Sequence, residues 1–159
     1  DKEVVLKAIT QYSLALAAIT QNGSALQHAS PELKNDKEFV LKAITQNAIT
    51  QYDLALAHAS HELKKDKEFV LKAVKKNALA LKYASPELKK DKEFFLIAVG
   101  QDGYALQYAS DELKNDKQVV LKAINQNGSA LQYASPELKN DKEVVLKAIA
   151  QVKLSLNMV

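Results

Sequence analysis

The sequence contains no cysteine and, among its 22 basic residues, no arginine. Without cysteine, neither a disulfide framework nor a thiolate metal site can form, and oxidising and reducing compartments suit the chain equally. Without arginine, the usual bidentate reader of phosphate and guanine is missing. Lysine alone supplies salt-sensitive, non-specific attraction, so nucleic-acid recognition is not expected. Three prolines and four glycines leave few chain breaks. No apolar run approaches the ~20 residues that span a bilayer, so no membrane span is expected. No basic-then-apolar leader opens the chain. The net charge of +3 comes from 22 basic and 19 acidic residues mixed throughout, which reads as a solvated surface rather than a steering field.

What is present is repetition. Asp1-Lys2-Glu3-Val4-Val5-Leu6 returns as Asp36-Lys37-Glu38-Phe39-Val40-Leu41, then from Asp66, Asp91, Asp116 and Asp141. The last four restarts are 25 residues apart. A fixed period in that range marks a stacked repeat array, in which each unit touches only its neighbours. The units are 1–35, 36–65, 66–90, 91–115, 116–140 and a partial 141–159, forming one array. The chain opens directly on the phrase and stops inside a unit, which reads as a segment of something longer or of an assembled sequence.

The unit from Asp116 to Asn140 is the plainest. Asp116 suits a helix N-cap. Val119, Val120, Leu121, Ala123 and Ile124 lay an apolar stripe along the helix that follows. Gly128 is expected to end it in the left-handed conformation, with Asn127 assisting. A second short helix runs through Ala130, Leu131, Tyr133 and Ala134. Ser135-Pro136 then starts a single turn, read as 3₁₀, that brings Leu138 to the core. Stacking aligns Leu6, Leu41, Leu71, Leu96, Leu121 and Leu146 in one column and Leu26, Leu56, Leu81, Leu106, Leu131 and Leu156 in another. Both columns are expected to be core, with Leu96 or Leu121 to Ala costing roughly 2–5 kcal/mol. Helices of this length are marginal alone, so neighbour contacts must hold them. The expected fold is all-α, an α-solenoid of short helical hairpins with about 25 residues per repeat.

The phrase D-K-E-V-V-L-K-A-I-x-Q-N-G-x-A-L-Q-Y-A-S-P-E-L-K-N also resembles tandem helical repeats of microbial proteins catalogued only as a domain of unknown function. The likeness runs from Asp1 to about Leu156. It implies an all-helical repeat and brings no catalytic residue to carry over.

The first two units are longer because they carry near-copies. Ala8-Ile9-Thr10-Gln11 recurs at Ala18 to Gln21, and Ala43-Ile44-Thr45-Gln46 at Ala48 to Gln51. Ten and five extra residues are not whole turns and would rotate the apolar face. Lengthened helices over 2–22 and 37–52 are expected, with local distortion; the alternative is that each insert makes its own turn, near Tyr12 and Tyr52. Asp53 and Ala78 stand in the glycine slot of their units. Gly100 falls inside a helix, and Ile97 replaces a surface lysine. Val152, Leu154, Leu156, Met158 and Val159 leave the last unit without polar cover, so self-association through that end is expected.

Catalytic and metal chemistry finds no support in the residues. His58-Ala59-Ser60-His61-Glu62 does not have zincin spacing. His28 and His58 take the slot of Tyr83, Tyr108 and Tyr133, and His61 takes a proline slot. The pair Asp36 and Glu38 recurs at every long-helix start but that of Asp116, where Gln118 stands, as a capping device would. No serine lies on a nucleophile elbow, and no glycine-rich phosphate loop exists. No catalytic residue, cofactor or metal is assigned, and the chain is read as not an enzyme. The leading function is a non-catalytic scaffold for protein–protein interaction, with a repetitive partner, or a structural spacer. The alternative is lysine-mediated binding to a polyanion or anionic surface through the unit at Asp66. The candidate surface is Lys72, Lys75, Lys76, Lys82, Tyr83, Tyr108 and Tyr133.

Overall fold

A computed structural model of the chain describes residues 2–46 and 55–156. Among the described residues every regular element is helical and none is a strand. Six long helices carry the fold: α1 (Lys2–Gln21), α2 (Lys37–Gln46), α3 (Lys67–Lys76), α4 (Lys92–Gln101), α5 (Lys117–Gln126) and α6 (Lys142–Leu156). They pack in chain order, each against the one before and after. Between them lie 3₁₀ helices (Gly23–His28, Ala78–Tyr83, Gly103–Tyr108, Gly128–Tyr133) and single α-turns such as Pro86–Lys90 and Pro136–Lys139.

The capping chemistry sets these elements. Asp36, Asp66, Asp91 and Asp141 each accept the backbone N–H three residues on, and Asp116 accepts two such groups. That carboxylate supplies partners that a helix start otherwise lacks. Ser30, Ser60, Ser85, Ser110 and Ser135 do the same for the single turns. With proline or its substitute at the first position, those turns close as α rather than the expected 3₁₀: the Lys139 N–H reaches the Ser135 carbonyl four residues back. The tighter 3₁₀ geometry falls instead on the Ala-Leu segment, where the Ala130 N–H reaches Asn127 and the Ala134 N–H reaches Leu131.

The helix stop also differs from expectation. No glycine has a positive φ. Asn127 is extended (φ −150°, ψ 112°) and its side chain accepts the Ser129 N–H. Its own N–H still reaches the Ala123 carbonyl. One residue therefore closes α5 and opens the 3₁₀ helix. Asn22, Asn77 and Asp102 repeat the arrangement. In α6 the same slot holds Val152, which has no such acceptor, and the helix runs on. The glycines serve close approach. A Cβ on Gly103 would lie 2.6 Å from the Ala123 carbonyl, and one on Gly128 would lie 2.7 Å from that of Ala148. Ala78, in the same slot, is half-buried, whereas Gly103 and Gly128 are buried.

The core is one continuous cluster running along the array. Phe39/Val40, Phe69/Val70, Phe94/Phe95 and Val119/Val120 fill it, with the alanines and β-branched residues one turn on. The second leucine column is buried from Leu26 to Leu106, but Leu131 is half-buried and Leu156 is 71% exposed. The first column is not core. Leu41, Leu71, Leu96 and Leu121 are half-buried, and Leu6 and Leu146 are exposed. The residues three and four after the capping Asp lie deeper, so the stripe is rotated from the expected one.

The insert in the first unit is resolved by extension. α1 is one helix with no break at Tyr12. Its second half packs: Tyr12, Ala15, Leu16 and Ile19 lie on the core, with the Tyr12 and Phe39 rings 5.4 Å apart. Leu16 to Leu41 and Ile19 to Ile44 are then 25 apart. The first copy is the exposed one, with Val4, Leu6 and Ile9 outside. The expected extension of α2 to residue 52, and the alternative turn near Tyr52, lie outside the described residues.

Units are also joined by polar links. The serine cap N–H donates to the carbonyl of the preceding unit, Ser60 to Lys34, Ser85 to Lys64, Ser110 to Lys89 and Ser135 to Lys114. The capping aspartates of α3 to α6 pair with the first lysine of the preceding long helix: Lys37–Asp66, Lys67–Asp91, Lys92–Asp116 and Lys117–Asp141. Those lysines hold the carboxyls of Asp66, Asp91 and Asp141 below their usual value, helped by the capping N–H groups. Burial opposes the effect at Asp116, but Lys92 and the Val119 N–H outweigh it.

Candidate functional site

The ends of α3, α4 and α5, with the 3₁₀ helices after them, enclose an open groove of about 810 Å³. Its position follows from the helix stop. Each Asn or Asp turns the chain out of the long helix, so the last helical residues and the first 3₁₀ residues of three successive units stand side by side. Lys75, Lys76 and Leu79 come from one unit, Gln101, Tyr104 and Gln107 from the next, and Gln126, Gln132 and Tyr133 from the third.

The groove lies at the longest run of positions in which the repeats differ. The three units from Asp66 to Asn140 align without a gap. Six consecutive positions are never the same in all three: Val74-Lys75-Lys76-Asn77-Ala78-Leu79, Val99-Gly100-Gln101-Asp102-Gly103-Tyr104 and Ile124-Asn125-Gln126-Asn127-Gly128-Ser129. The flanking core alanines and leucines stay constant. Differences also occur at buried packing positions, Phe69/Phe94/Val119 and Val70/Phe95/Val120, and at Lys72/Ile97/Lys122, but the longest consecutive run lies at the groove.

The hydrogen bonds orient its amides. The Gly103 N–H donates to Gln126 Oε1 at 2.6 Å. Gln107 Nε2 donates to the Tyr104 carbonyl and Gln132 Nε2 to the Ser129 carbonyl, both at 3.1 Å. Tyr104 and Tyr133 meet edge to face, centroids 6.0 Å apart at 82°. Asp102 is engaged as a cap through the Tyr104 N–H.

Of the residues expected at a binding surface, Lys75, Lys76 and Tyr133 line this groove and the others do not. Lys72 is paired with Glu68 at 2.7 Å. Lys82 Nζ sits 5.5 Å from the ring of Tyr83. Tyr83 and Tyr108 are half-buried against the core. Burial pushes the Tyr108 phenol above its usual value, and the neighbouring Tyr133 and Tyr83 add to this. Sequence reasoning passed over Tyr104 and the glutamines. The signal available was the run of six differing positions.

Elsewhere, Ile97 is exposed and lines a smaller hollow of about 470 Å³ with Leu96 and Leu121. His28 and His61 are exposed. Burial holds the His58 imidazole below its usual value, with Lys34 and Lys64 reinforcing it. No group of three or more His, Cys, Asp or Glu is placed to hold a metal among the described residues. α1 departs from the expectation of no apolar span. It is 20 residues long, with a window of mean hydropathy 1.2, enough by length and composition to cross a membrane. Packing accounts for Tyr12, Ala15, Leu16 and Ile19, and leaves Val4, Leu6, Ile9 and Leu14 exposed.

Fold and groove together define an all-α protein of tandem repeats with a variable face at the helix ends. The chain belongs to the family described as "Domain of unknown function (DUF4116)", whose model matches residues 13–50, 47–89, 91–139 and 116–159. The first match begins near the half of α1 that packs. No curated protein and no solved structure matches the chain significantly.

Proposed function

We propose that the chain is a non-catalytic scaffold, an α-solenoid of units of about 25 residues that binds a protein partner along the groove over α3, α4 and α5. The coincidence of the groove with the run of positions that differ between repeats carries this reading. A spacer would give no reason for the longest run of differences to fall at a concavity. The polyanion reading has less to work with. Lys37, Lys67, Lys92 and Lys117 are held by aspartates of the next unit, and Lys42 and Lys72 by glutamates of their own helices.

A photo-reactive side chain placed at Gln107, inside the groove, and separately at Glu112, outside it, tests the proposal. Adducts with a defined set of proteins from Gln107 alone, suppressed by excess unmodified chain, are expected. Equal adducts from both positions, or none, would favour the spacer. Adducts with nucleic acid that vanish between roughly 50 and 200 mM salt would favour the polyanion reading.

A further inference from the structure

We infer that the ligand of this groove is an extended polypeptide with carboxylates at the end lying over α3. The inference rests on the scaffold reading above and names its partner class. Its first support is the division of labour among the amides. Gln126 accepts the Gly103 N–H with its oxygen, so its NH₂ group remains to donate outward. Gln107 and Gln132 spend an N–H on their own backbone, so their oxygens remain to accept. A peptide unit carries one donor and one acceptor, and this groove offers both kinds of partner, an NH₂ group at Gln126 and oxygens at Gln107 and Gln132.

Spacing supports the same ligand. Packed helices stand about 8–10 Å apart, and an extended chain rises about 3.3 Å per residue. Each unit therefore faces about three ligand residues, and the groove faces about six to nine.

Charge sets the direction. Lys75 and Lys76 are exposed at one end, with no salt bridge among the described residues. The equivalent positions in the next two units are Gly100, Gln101, Asn125 and Gln126, all uncharged. Asp102, in the middle unit, disfavours an acidic residue there. Leu79 is 38% exposed and Tyr104 37%, so an apolar ligand side chain is favoured between the cationic end and the centre.

The test is selection of random nonapeptides displayed on phage against the whole chain, followed by titration of a fluorescent selected peptide. Enriched sequences should cluster Asp or Glu at one end. The double variant Lys75→Glu, Lys76→Glu should weaken the peptide about tenfold or more, and exchanging the peptide's acids for lysine should restore it. Both lysines are exposed, and circular dichroism of the variant should be unchanged. Methylating the central backbone nitrogens of the peptide should also abolish binding. Absence of enrichment, loss without charge-swap rescue, indifference to N-methylation, or retention of neutral oligosaccharides in place of peptides would each overturn the assignment. Groove-specific adducts to intact proteins without peptide enrichment would overturn the peptide assignment alone and leave the scaffold reading standing.

Discussion

Two glycines three residues apart should respond to the same substitution with opposite signs. Gly100 lies inside α4, and Gly103 opens the 3₁₀ helix that follows. Neither has a positive φ, so alanine is compatible with both backbones. At Gly100 the added Cβ would meet one atom, Cε of Lys122, at 3.2 Å. That is the far end of a flexible, exposed side chain that can swing aside. The helix-propensity gain then dominates, roughly 0.8–1 kcal/mol. At Gly103 the Cβ would stand 2.6 Å from the Ala123 carbonyl and 2.9 Å from Gln126 Oε1. The carbonyl is backbone of α5 and can withdraw only if the two units separate. Overpacking of this kind costs about 1–3 kcal/mol, against about 0.4–1 kcal/mol regained from a stiffer unfolded chain.

Gly100→Ala should therefore raise stability by up to about 1 kcal/mol, and Gly103→Ala should lower it by roughly 0.5–2 kcal/mol. The assay is urea denaturation, reading midpoints at unchanged slope so that the cooperative unit is the same in all three proteins. The melting temperatures should move by about 2–4 °C per kcal/mol in the same directions. Ala78 shows what an accommodated Cβ looks like in this slot, since its position is less buried than Gly103. If Gly103→Ala stabilises as much as Gly100→Ala, close approach is not why glycine stands there, and the account of the junction fails.

Core depth should separate a buried phenylalanine of α4 from an exposed leucine of α6. Phe95→Ala, fully buried, should cost about 3–5 kcal/mol in denaturant titration, whereas Leu146→Ala, 56% exposed, should stay within about 0.5 kcal/mol. Asn127→Ala should cost about 0.5–2 kcal/mol by removing the acceptor for Ser129, and far-UV circular dichroism should show gained helix if α5 runs on as α6 does. Stability should fall at both pH extremes. The lowered aspartates contribute fully above their unfolded value near 3.9, and that contribution is lost as pH falls through the folded value. The raised lysines Lys37, Lys67 and Lys117 contribute fully below about 10.4, and that contribution is lost as pH rises through the folded value. Asp91→Asn keeps a cap but loses the charge, so its urea midpoint should lie below wild type at pH 7, with the gap starting to close only below about pH 4 and vanishing as pH falls past the lowered folded value.

The period, the aspartate and serine caps and the all-helical class were legible because each is a local rule repeated several times. The depth of the leucines was not. Val119, Val120 and Leu121 are adjacent apolar residues, and the sequence pattern alone does not say which two of three point inward. The rotation of the helix about its axis, set by both neighbours, decides that. The glycine was misread for a similar reason. Local chemistry permits a left-handed stop at Gly128, but Asn127 already ends the helix, and the carbonyl that makes glycine necessary belongs to Ala148, twenty residues on. The insert in α1 was ambiguous because both copies carry the same stripe, and only packing chooses the second. The groove was hardest to see. Its residues lie a whole unit apart, and attention to lysine and tyrosine as types overlooked the glutamines, whose orientation is fixed by bonds to backbone groups.

The recurring and the differing residues of the groove divide the work in a way that can be tested. Gln101 and Gln126 recur at one position, as do Gln107 and Gln132 at another. Amides that recur at fixed spacing suit a feature that also recurs at fixed spacing, the ligand backbone. Leu79, Tyr104 and Ser129 share one position and differ completely in size, so they suit side chains that differ along the ligand. Tyr104 is exposed and its ring meets that of the half-buried Tyr133, so replacing it gives up that ring contact. Exchanging the two residues, Tyr104→Ser with Ser129→Tyr, keeps the composition and moves the large side chain by one unit. If position alone sets the preference, the apolar residue in selected peptides should shift by about three positions along the chain while the acidic end stays put. An apolar residue that does not move, or an acidic end that moves with it, would mean that the units do not read the ligand one by one.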